Sequence, residues 1–313
     1  MRNMLRMLLA STVLFAVSTA WADKEIAVIV KTANSDFWQN VRKGASAAAA
    51  ELKGYKATFQ GASSDTDLAG QVALVENAVN RKVAAIVLAP SDPDALVPAI
   101  KKAWEARIPV IIIDSAAGEG AKKYYQSFLA TDNKLAGELC AKALINKIGK
   151  TGKIAIMSYT AGSGSEVERV GGFKKYIETH SKLKIIGRFY SNSQMGTALN
   201  QTTDVLAANP DLRGLFGANE PTAIGMGRAI VQARRKGKVV AIGFDGNADL
   251  QAFVRDGTLE AIAVQSAYQM GYLGVKTGVE VIQKKKVPRM RDTGVVMVTK
   301  DNIDSREAKN VLY

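Results

Sequence analysis

Short apolar runs rich in valine and isoleucine alternate with longer stretches of helical period along most of the chain. The apolar runs are continuous, which is typical of parallel strands buried on both faces, and the stretches between them have the length of crossover helices. The pattern predicts a doubly wound α/β protein. Predicted strands are EIAVIV, ATFQGA, AAIVLAP, PVIIID, KIAIMSY, IIGRFYS, GLFGAN, VVAIGFDG and EAIAVQS, and predicted helices cover 36–53, 67–82, 93–106, 165–180, 196–208, 221–236, 247–256 and 267–285.

The number of predicted strands indicates two parallel sheets rather than one. About ten strands fall in the 291 residues after position 22, which fits two sheets better than a single one. The break is expected near 128–133, where the run FLATDN leads into a new helix. No Pro- or Gly-rich linker marks it, so short crossing segments are expected to join the two halves.

The first 22 residues have the pattern of a secretory signal peptide. Arg2 and Arg6 precede an apolar stretch over 7–17, and a small-x-small pattern ends at Ala22, where cleavage is expected. The apolar stretch is shorter than the roughly 20 residues that a membrane span needs. Asp23 stands where a lipid-anchored protein would have cysteine, so we expect a soluble mature protein in the periplasm.

The chain is basic, with 42 Lys and Arg against 29 Asp and Glu and a formal net charge of +13. Without Arg2 and Arg6, 40 basic residues remain against 29 acidic ones, a net charge of +11. A basic protein suggests nucleic-acid binding, but these residues are scattered among acids, and the densest basic run is only the three lysines at 284–286. A solvated basic surface is the better interpretation, and we expect no nucleic-acid partner.

The residues that most enzymes require are scarce in this chain. It has one histidine, His180, and one cysteine, Cys140, and it lacks the G-x-S-x-G and G-x-x-x-x-G-K-[ST] motifs. The turn Gly162-Ser163-Gly164 is followed by Val167 where a dinucleotide-binding loop needs its third glycine. We therefore expect a protein with no catalytic residues, no cofactor and no metal, in which the turn brings a helix close to a bound ligand.

Polar side chains gather where the predicted strands end, the edge at which open α/β sheets bind ligands. Asp114 and Asp245 stand out, because each ends a very apolar strand and a carboxylate there needs good partners. For Ser91, Asp132 and Asn247, helix capping is the simpler role. The strand-end residues are Lys31, Ser63, Ser64, Asp65, Ser91, Asp92, Asp114, Ser115, Ser158, Asn219, Glu220, Asp245, Asn247 and Gln265.

The motifs VKTANSDFW, IPVIIID, ERVGGF, GLFGANEPTAIGMGRAI, VVAIGFDG and AIAVQSAYQMG, in this order, resemble the ribose-type periplasmic sugar-binding proteins of ABC importers. The resemblance implies the type I periplasmic binding protein fold, in which two lobes joined by a three-segment hinge close on a monosaccharide. On that pattern, residues 23–128 and 266–294 form the first lobe, and residues 129–265 and 295–313 form the second.

The resemblance also implies a set of ligand-binding residues. Phe37 and Trp38 offer aromatic surface to a sugar ring, and we expect at least one of them to touch the ligand. Charged and amide groups bind the hydroxyls, since charge-assisted hydrogen bonds are strong and amides both donate and accept. The expected contacts are Lys31, Ser35, Phe37, Trp38, Asp114 and Ser115 in the first lobe and Arg169, Asn219, Asp245 and Gln265 in the second.

Departures from the ribose pattern bear on the choice of ligand. Lys31 stands where ribose binders have serine, which resembles the allose-binding branch and favours a hexose or a hexose derivative. Ser115 replaces a charged group. Ser193 aligns with an aromatic of the family, and Tyr190 is a nearby substitute. Without an aromatic ring at 193, the far face of the sugar is left open. With Glu220 also beside Asn219, a sugar conjugate is an alternative ligand.

Two other functions share the same clamp. LacI-type repressors use it, but they carry a DNA-binding helix-turn-helix where this chain has its predicted export signal. A binding protein for an amino acid or a signalling molecule stays open, with Arg169 and Lys31 as candidate carboxylate ligands. Expected partners are a sugar or sugar derivative and a membrane ABC permease, with a chemoreceptor as a further candidate, and the protein is expected to be a monomer.

Overall fold

A computed structural model describes residues 23–313, and the predicted signal peptide at 1–22 lies outside the described residues. The chain forms two six-stranded sheets in which strands and helices alternate, so the predicted α/β class is confirmed. Within the described residues, no helix combines the length and the apolar character needed to cross a bilayer.

The helices and strands are named in chain order. The strands are β1 (Lys24–Thr32), β2 (Tyr55–Ala62), β3 (Ala85–Leu88), β4 (Val110–Ile113), β5 (Ser127–Ala130), β6 (Thr151–Ser158), β7 (Lys182–Tyr190), β8 (Leu212–Gly217), β9 (Val240–Phe244), β10 (Ala261–Gln265), β11 (Met290–Asp292) and β12 (Val295–Thr299). The helices are α1 (Asp36–Glu51), α2 (Leu68–Asn80), α3 (Val97–Glu105), α4 (Asn133–Ile148), α5 (Gly164–His180), α6 (Met195–Ala208), α7 (Glu220–Gln232), α8 (Ala248–Asp256), α9 (Ala267–Ile282) and α10 (Arg306–Lys309).

The first sheet is parallel throughout, with strand order β11-β5-β4-β3-β1-β2. Successive residues of a strand point to opposite faces. In β1, Val28 and Val30 therefore pack with α1 and α9, whereas Ala27 and Ile29 pack with α2 and α3. Both faces are buried, which is why β1 is continuously apolar. We call this sheet with its helices the first lobe.

The second sheet has the order β12-β10-β9-β8-β6-β7 and is parallel except for β12, which runs antiparallel to β10. Helices α4 and α5 cover one face, and α6, α7 and α8 cover the other. We call this sheet with its helices, including α10 beside β12, the second lobe. In both lobes the carboxyl ends of the parallel strands lead into loops at a shared cleft.

The chain crosses between the sheets three times, at 131–132, at Ser266 and at 293–294. The first and third crossings are bonded to each other, since the Thr131 hydroxyl donates to the Gly294 carbonyl at 3.1 Å. The sequence-based division after residue 128 falls inside β5, which pairs with β4 and β11.

Two local features differ from the pattern-based prediction. Helix α3 begins at Val97 and not at 93, because the Asp92 carboxylate accepts from the backbone N–H groups of residues 94 and 95 and holds a turn there. Strands β11 and β12 and helix α10 were not predicted. Strand β11 is a three-residue edge strand of sequence MRD, which carries no apolar run to signal it.

Candidate functional site

A cavity of about 390 Å³ lies between the carboxyl-end loops of the two lobes. This volume is within the range of pockets that hold small organic molecules. The cleft brings together nine of the ten residues that the sequence predicted as ligand contacts: Lys31, Ser35, Phe37, Trp38, Asp114, Arg169, Asn219, Asp245 and Gln265.

A buried ion pair forms the first-lobe floor of the cavity. The Lys31 ammonium lies 2.9 Å from Asp114 Oδ2 and donates to Ser115 Oγ at 2.6 Å. Ser115 in turn donates to Asp114 at 2.9 Å. Ser115 does not line the cavity, so the structure places it as the residue that orients Lys31 and Asp114. Asp114 has a φ of 63°, a left-handed conformation that is uncommon for a non-glycine residue.

The second-lobe floor is a hydrogen-bonded chain that starts at Arg169. Its guanidinium donates to Asn133 Oδ1 at 2.7 Å and to Gln265 Oε1 at 3.2 Å, and it lies 3.6 Å from the ring centre of Phe244. The Gln265 amide donates to Asp245 Oδ1 at 2.9 Å. Burial raises the pKa of Asp245 to about 6, although the nearby Arg169 opposes this shift. These contacts hold the floor side chains in a fixed arrangement.

Two adjacent rings line the cavity from the start of α1. Ser35 caps this helix by accepting from the Trp38 backbone N–H, so the first turn begins at the cleft. Phe37 and Trp38 pack edge to face, with ring centroids 4.8 Å apart, and both also belong to the first-lobe core. Neighbouring residues of a helix cannot both lie on one apolar stripe. Both rings are accommodated here because the first-lobe core continues into the cavity wall. Tyr159 is a third ring in the lining.

A hydrogen bond closes the mouth of the cleft. Ser193 Oγ donates to Asp65 Oδ2 at 2.5 Å and accepts from the Asn219 amide at 3.0 Å. Asp65 follows the edge strand β2 and Ser193 follows the edge strand β7, both on the side opposite the three crossings. Burial raises the pKa of Asp65. Ser193 lines the cavity, whereas Tyr190 accepts from Arg188 outside it.

Glu220 joins the lobes on another side of the cavity. Its Oε1 accepts from the backbone N–H of Phe37 at 3.2 Å, and its Oε2 accepts from the Tyr313 hydroxyl at 2.9 Å. Burial, and next the negative charge of Asp245, raise the pKa of Glu220 to about 8. The carboxyl group is therefore sensitive to whether the two lobes are together.

The start of α5 meets the loop after β4 where the two floors adjoin. Ser115 Oγ and Ser165 Oγ lie within hydrogen-bond distance, 3.0 Å apart, and Ser165 accepts from the Tyr159 hydroxyl at 2.9 Å. A Cβ added to Gly164 would lie 2.8 Å from the backbone oxygen of Ala116. The glycine-rich turn thus permits a close approach between the lobes.

Several lining residues were not among the predicted contacts: Thr32, Asn34, Asp36, Asp65, Tyr159, Ser165, Met195, Glu220, Pro221, Ile224 and Asn247. Three of them, Asp65, Glu220 and Asn247, were recognisable as strand-end polar residues. Within residues 23–313, no group of three or more His, Cys, Asp or Glu side chains is arranged to hold a metal ion.

The two-lobe fold with a polar, ring-lined cleft defines a solute-binding protein of the periplasmic binding protein class. Residues 26–286 match the periplasmic binding protein domain family, and the chain belongs to that family. Membership of this family of transport components confirms that the protein is not an enzyme and assigns it to the periplasm.

Named relatives are sugar-binding proteins of ABC transporters. The ribose import binding protein of Escherichia coli K12 is 31% identical, and the alignment covers 90% of this chain and 93% of that protein. A solute-binding protein of an ABC transporter from Agrobacterium vitis, solved with bound D-fucose, is 69% identical to this chain, with a TM-score of 0.92. The match covers 92% of this chain and 100% of that chain. A carbohydrate transporter solute-binding protein from Agrobacterium radiobacter, in complex with D-arabinose, is 36% identical with a TM-score of 0.89. The match covers 93% of this chain and 99% of that chain.

Proposed function

We propose that the protein captures one neutral monosaccharide, a hexose or hexose derivative, in the inter-lobe cavity and delivers it to a membrane ABC permease. The observation that carries the proposal is the composition of the cavity wall. Charged and amide groups suited to hydroxyls form both floors, and rings suited to the C–H faces of a sugar stand beside them. The sugars bound by similar proteins support this substrate class.

The balance of charges in the lining favours a neutral ligand over an anionic one. Six carboxyl groups line the cavity, against the three cationic groups of Lys31, Arg169 and Arg228. One of the six, Glu220, has a pKa of about 8 and is mostly neutral at neutral pH. Arg228 is bonded to Asp249. Lys31 is paired with Asp114, and Arg169 is already bonded to Asn133, Gln265 and a backbone carbonyl. No cationic group of this lining is therefore free to clamp the carboxylate of an amino acid or a sugar acid.

Capture would proceed by hinge closure. The two lobes would rotate about the crossings at 131–132, 266 and 293–294, and the ligand would bridge the floors of both. The two-lobe division, with its first boundary after β5 rather than after residue 128, is part of this proposal. The nine predicted ligand contacts that line the cavity, with Ser115 as the residue that orients Lys31 and Asp114, are part of it too. So are cleavage of a signal peptide after Ala22, a monomeric state and a chemoreceptor as a second partner for the closed form.

Thermal unfolding of refolded, ligand-stripped protein tests the proposal directly. The panel would contain pentoses, hexoses, 6-deoxyhexoses, sugar acids, amino-acid conjugates of sugars and free amino acids. A ligand at 100 times its dissociation constant adds about 2.7 kcal/mol of stability, which raises the midpoint by several degrees. A shift with a neutral monosaccharide supports the proposal. A shift only with a conjugate, an amino acid or a signalling molecule would reject the sugar and keep the clamp.

A further inference from the structure

Three apolar side chains line one part of the cavity. They are Met195 at the start of α6 and Pro221 and Ile224 in the first turns of α7. The two helices touch here, because a Cβ added to Gly225 would lie 2.4 Å from the Met195 carbonyl oxygen. We call Met195, Pro221 and Ile224 the apolar wall.

The apolar wall lies between two of the contacts that join the lobes. Glu220, which contacts α1, directly precedes Pro221, and Ser193, which contacts Asp65 at the mouth, lies two residues before Met195. On the outer side of the wall, one turn after Ile224, Arg228 is bonded to Asp249 at 2.9 Å. Glu220, Ser193 and Arg228 beside the wall are thus bonded to other protein groups. The Gln194 side chain, which directly precedes Met195, also lines the cavity.

A hydroxyl pressed against such a wall would lose hydrogen bonds to water and gain none from the wall's side chains. The two floors, by contrast, are rich in groups that bind hydroxyls. A pyranose has hydroxyls around most of its ring, but the substituent on C5 varies: it is hydroxymethyl in a hexose, methyl in a 6-deoxyhexose and hydrogen in a pentose. The edge that suits the wall is one that ends in methyl or hydrogen.

We infer that the apolar wall makes the protein selective for 6-deoxyhexoses over hexoses that carry a hydroxymethyl group. This inference rests on the proposed function, since it names the kind of monosaccharide that the same cavity takes. Met195 and Ile224 are the residues that set the preference. Pro221 contributes apolar surface without a backbone N–H.

Calorimetric titration with matched sugars tests the inference. D-Fucose and D-galactose differ only in the 6-hydroxyl, as do 6-deoxy-D-glucose and D-glucose. In whichever series binds, we expect the 6-deoxy sugar to bind about 10- to 100-fold more tightly, the range over which apolar pockets discriminate against one added group. Equal affinities, or tighter binding of the hydroxymethyl sugar, would overturn the inference while leaving the proposed function intact. If no sugar binds, both fail.

Two variants assign the preference to the wall. Ile224→Thr and Met195→Gln each place a hydrogen-bonding group there and should reduce the affinity ratio within a pair several-fold. Matched controls are Val231→Thr, an exposed position of the same helix α7, and Met290→Gln, on the exposed edge strand β11. Both controls should leave the ratio unchanged. Equal weakening of both sugars by the two wall variants would mean that the wall only packs, and would refute the assignment.

Discussion

At the residue scale, Lys31 and Asp114 form an ion pair that is buried from water in the wall of the cavity. Both side chains are about 95% buried, and each charge has the other as its partner. A buried pair of this kind adds little net stability, but removal of one partner leaves an uncompensated charge. Ser115 completes the arrangement from outside the cavity. The pair is therefore a weak stabilising element, and its position in the cavity wall is consistent with the proposed hydroxyl-binding role.

Asp114→Ala is expected to weaken sugar binding by about 2–5 kcal/mol, the range for truncation of one partner of a buried charged contact. It should also lower the midpoint of thermal unfolding, because Lys31 is left unpaired. The double variant Lys31→Met/Asp114→Ala should recover the midpoint but not the affinity. Calorimetry and thermal unfolding measure the two effects, with the exposed Asp211→Ala as the control. Wild-type affinity in the double variant would exclude the pair from the site.

Trp38 gives an optical test of the aromatic surface. In the processed chain Trp104 is the other tryptophan, and it is 48% exposed on α3, away from the cavity. In a Trp104→Phe background, sugar binding is expected to shift or quench the emission of Trp38, because the ring lines the cavity and its surroundings change when a ligand displaces water. An emission spectrum unchanged at saturating ligand would reduce Trp38 to a core residue.

The sequence could identify only some of the site residues, and individual positions show why. Asn219 and Asn247 both cap helices, as their position before a helix predicts, and yet both line the cavity. Capping and ligand contact are therefore not exclusive, because these helices begin at the cleft. Asp65 stands beside two serines after β2, and nothing in the sequence separates it from them. Its significance comes from Ser193, 128 positions away, and depends on how the lobes face each other.

At the scale of elements, the recurring unit is a buried strand followed by a helix that starts at the cleft. Continuous apolar runs fix the strands, so both parallel sheets were predictable from the sequence. Strands β11 and β12 were not, since a short edge strand and an antiparallel strand need no continuous apolar run. The division of strands between sheets followed mainly from the family resemblance. Pattern alone does not show that the chain crosses three times.

Helix α5 offers a test of lobe closure with an internal control. Gly164→Ala should weaken binding tenfold or more, because its Cβ would press on the Ala116 backbone of the other lobe only when the cleft is closed. Gly171→Ala, seven residues later on α5, meets no atom within 4 Å and should leave affinity unchanged while slightly stabilising the helix. Equal affinities of the two variants would show that the approach at Gly164 is not required for binding.

At the scale of the whole molecule, closure unites groups that belong to different lobes. Ser165 with Ser115, Ser193 with Asp65, and Glu220 with the Phe37 backbone are hydrogen-bonded across the cleft. These contacts surround the cavity on several sides, so the ligand would be enclosed rather than held at a surface. Two of these contacts contain a carboxyl group whose pKa is raised, Asp65 and Glu220, so closure depends on the protonation of these two groups.

The pH dependence of binding follows from Glu220. In the closed arrangement its pKa is about 8 because of burial and the charge of Asp245, with Asp36 adding to the effect. In an open form Glu220 loses the contact with α1 but keeps Asp245 beside it, so we expect a pKa lower than in the closed form but above the ordinary value of 4.5. A carboxyl whose pKa is higher in the closed form takes up a proton on closing, so closure is favoured at low pH and this contribution is lost as pH rises to about 8.

Affinity for a neutral sugar should therefore fall between about pH 6 and pH 8, by at most about tenfold per unit, and level off above that. Asp245, with a pKa of about 6, acts in the same direction but mostly at lower pH. Glu220→Gln keeps the shape of the side chain and an acceptor for Phe37 but cannot titrate, so its affinity should be nearly constant over this interval. Calorimetry at several pH values compares the two proteins. A wild-type decline that persists in Glu220→Gln would place the titrating group elsewhere, and a rise in affinity with pH would reverse the assigned direction of proton uptake.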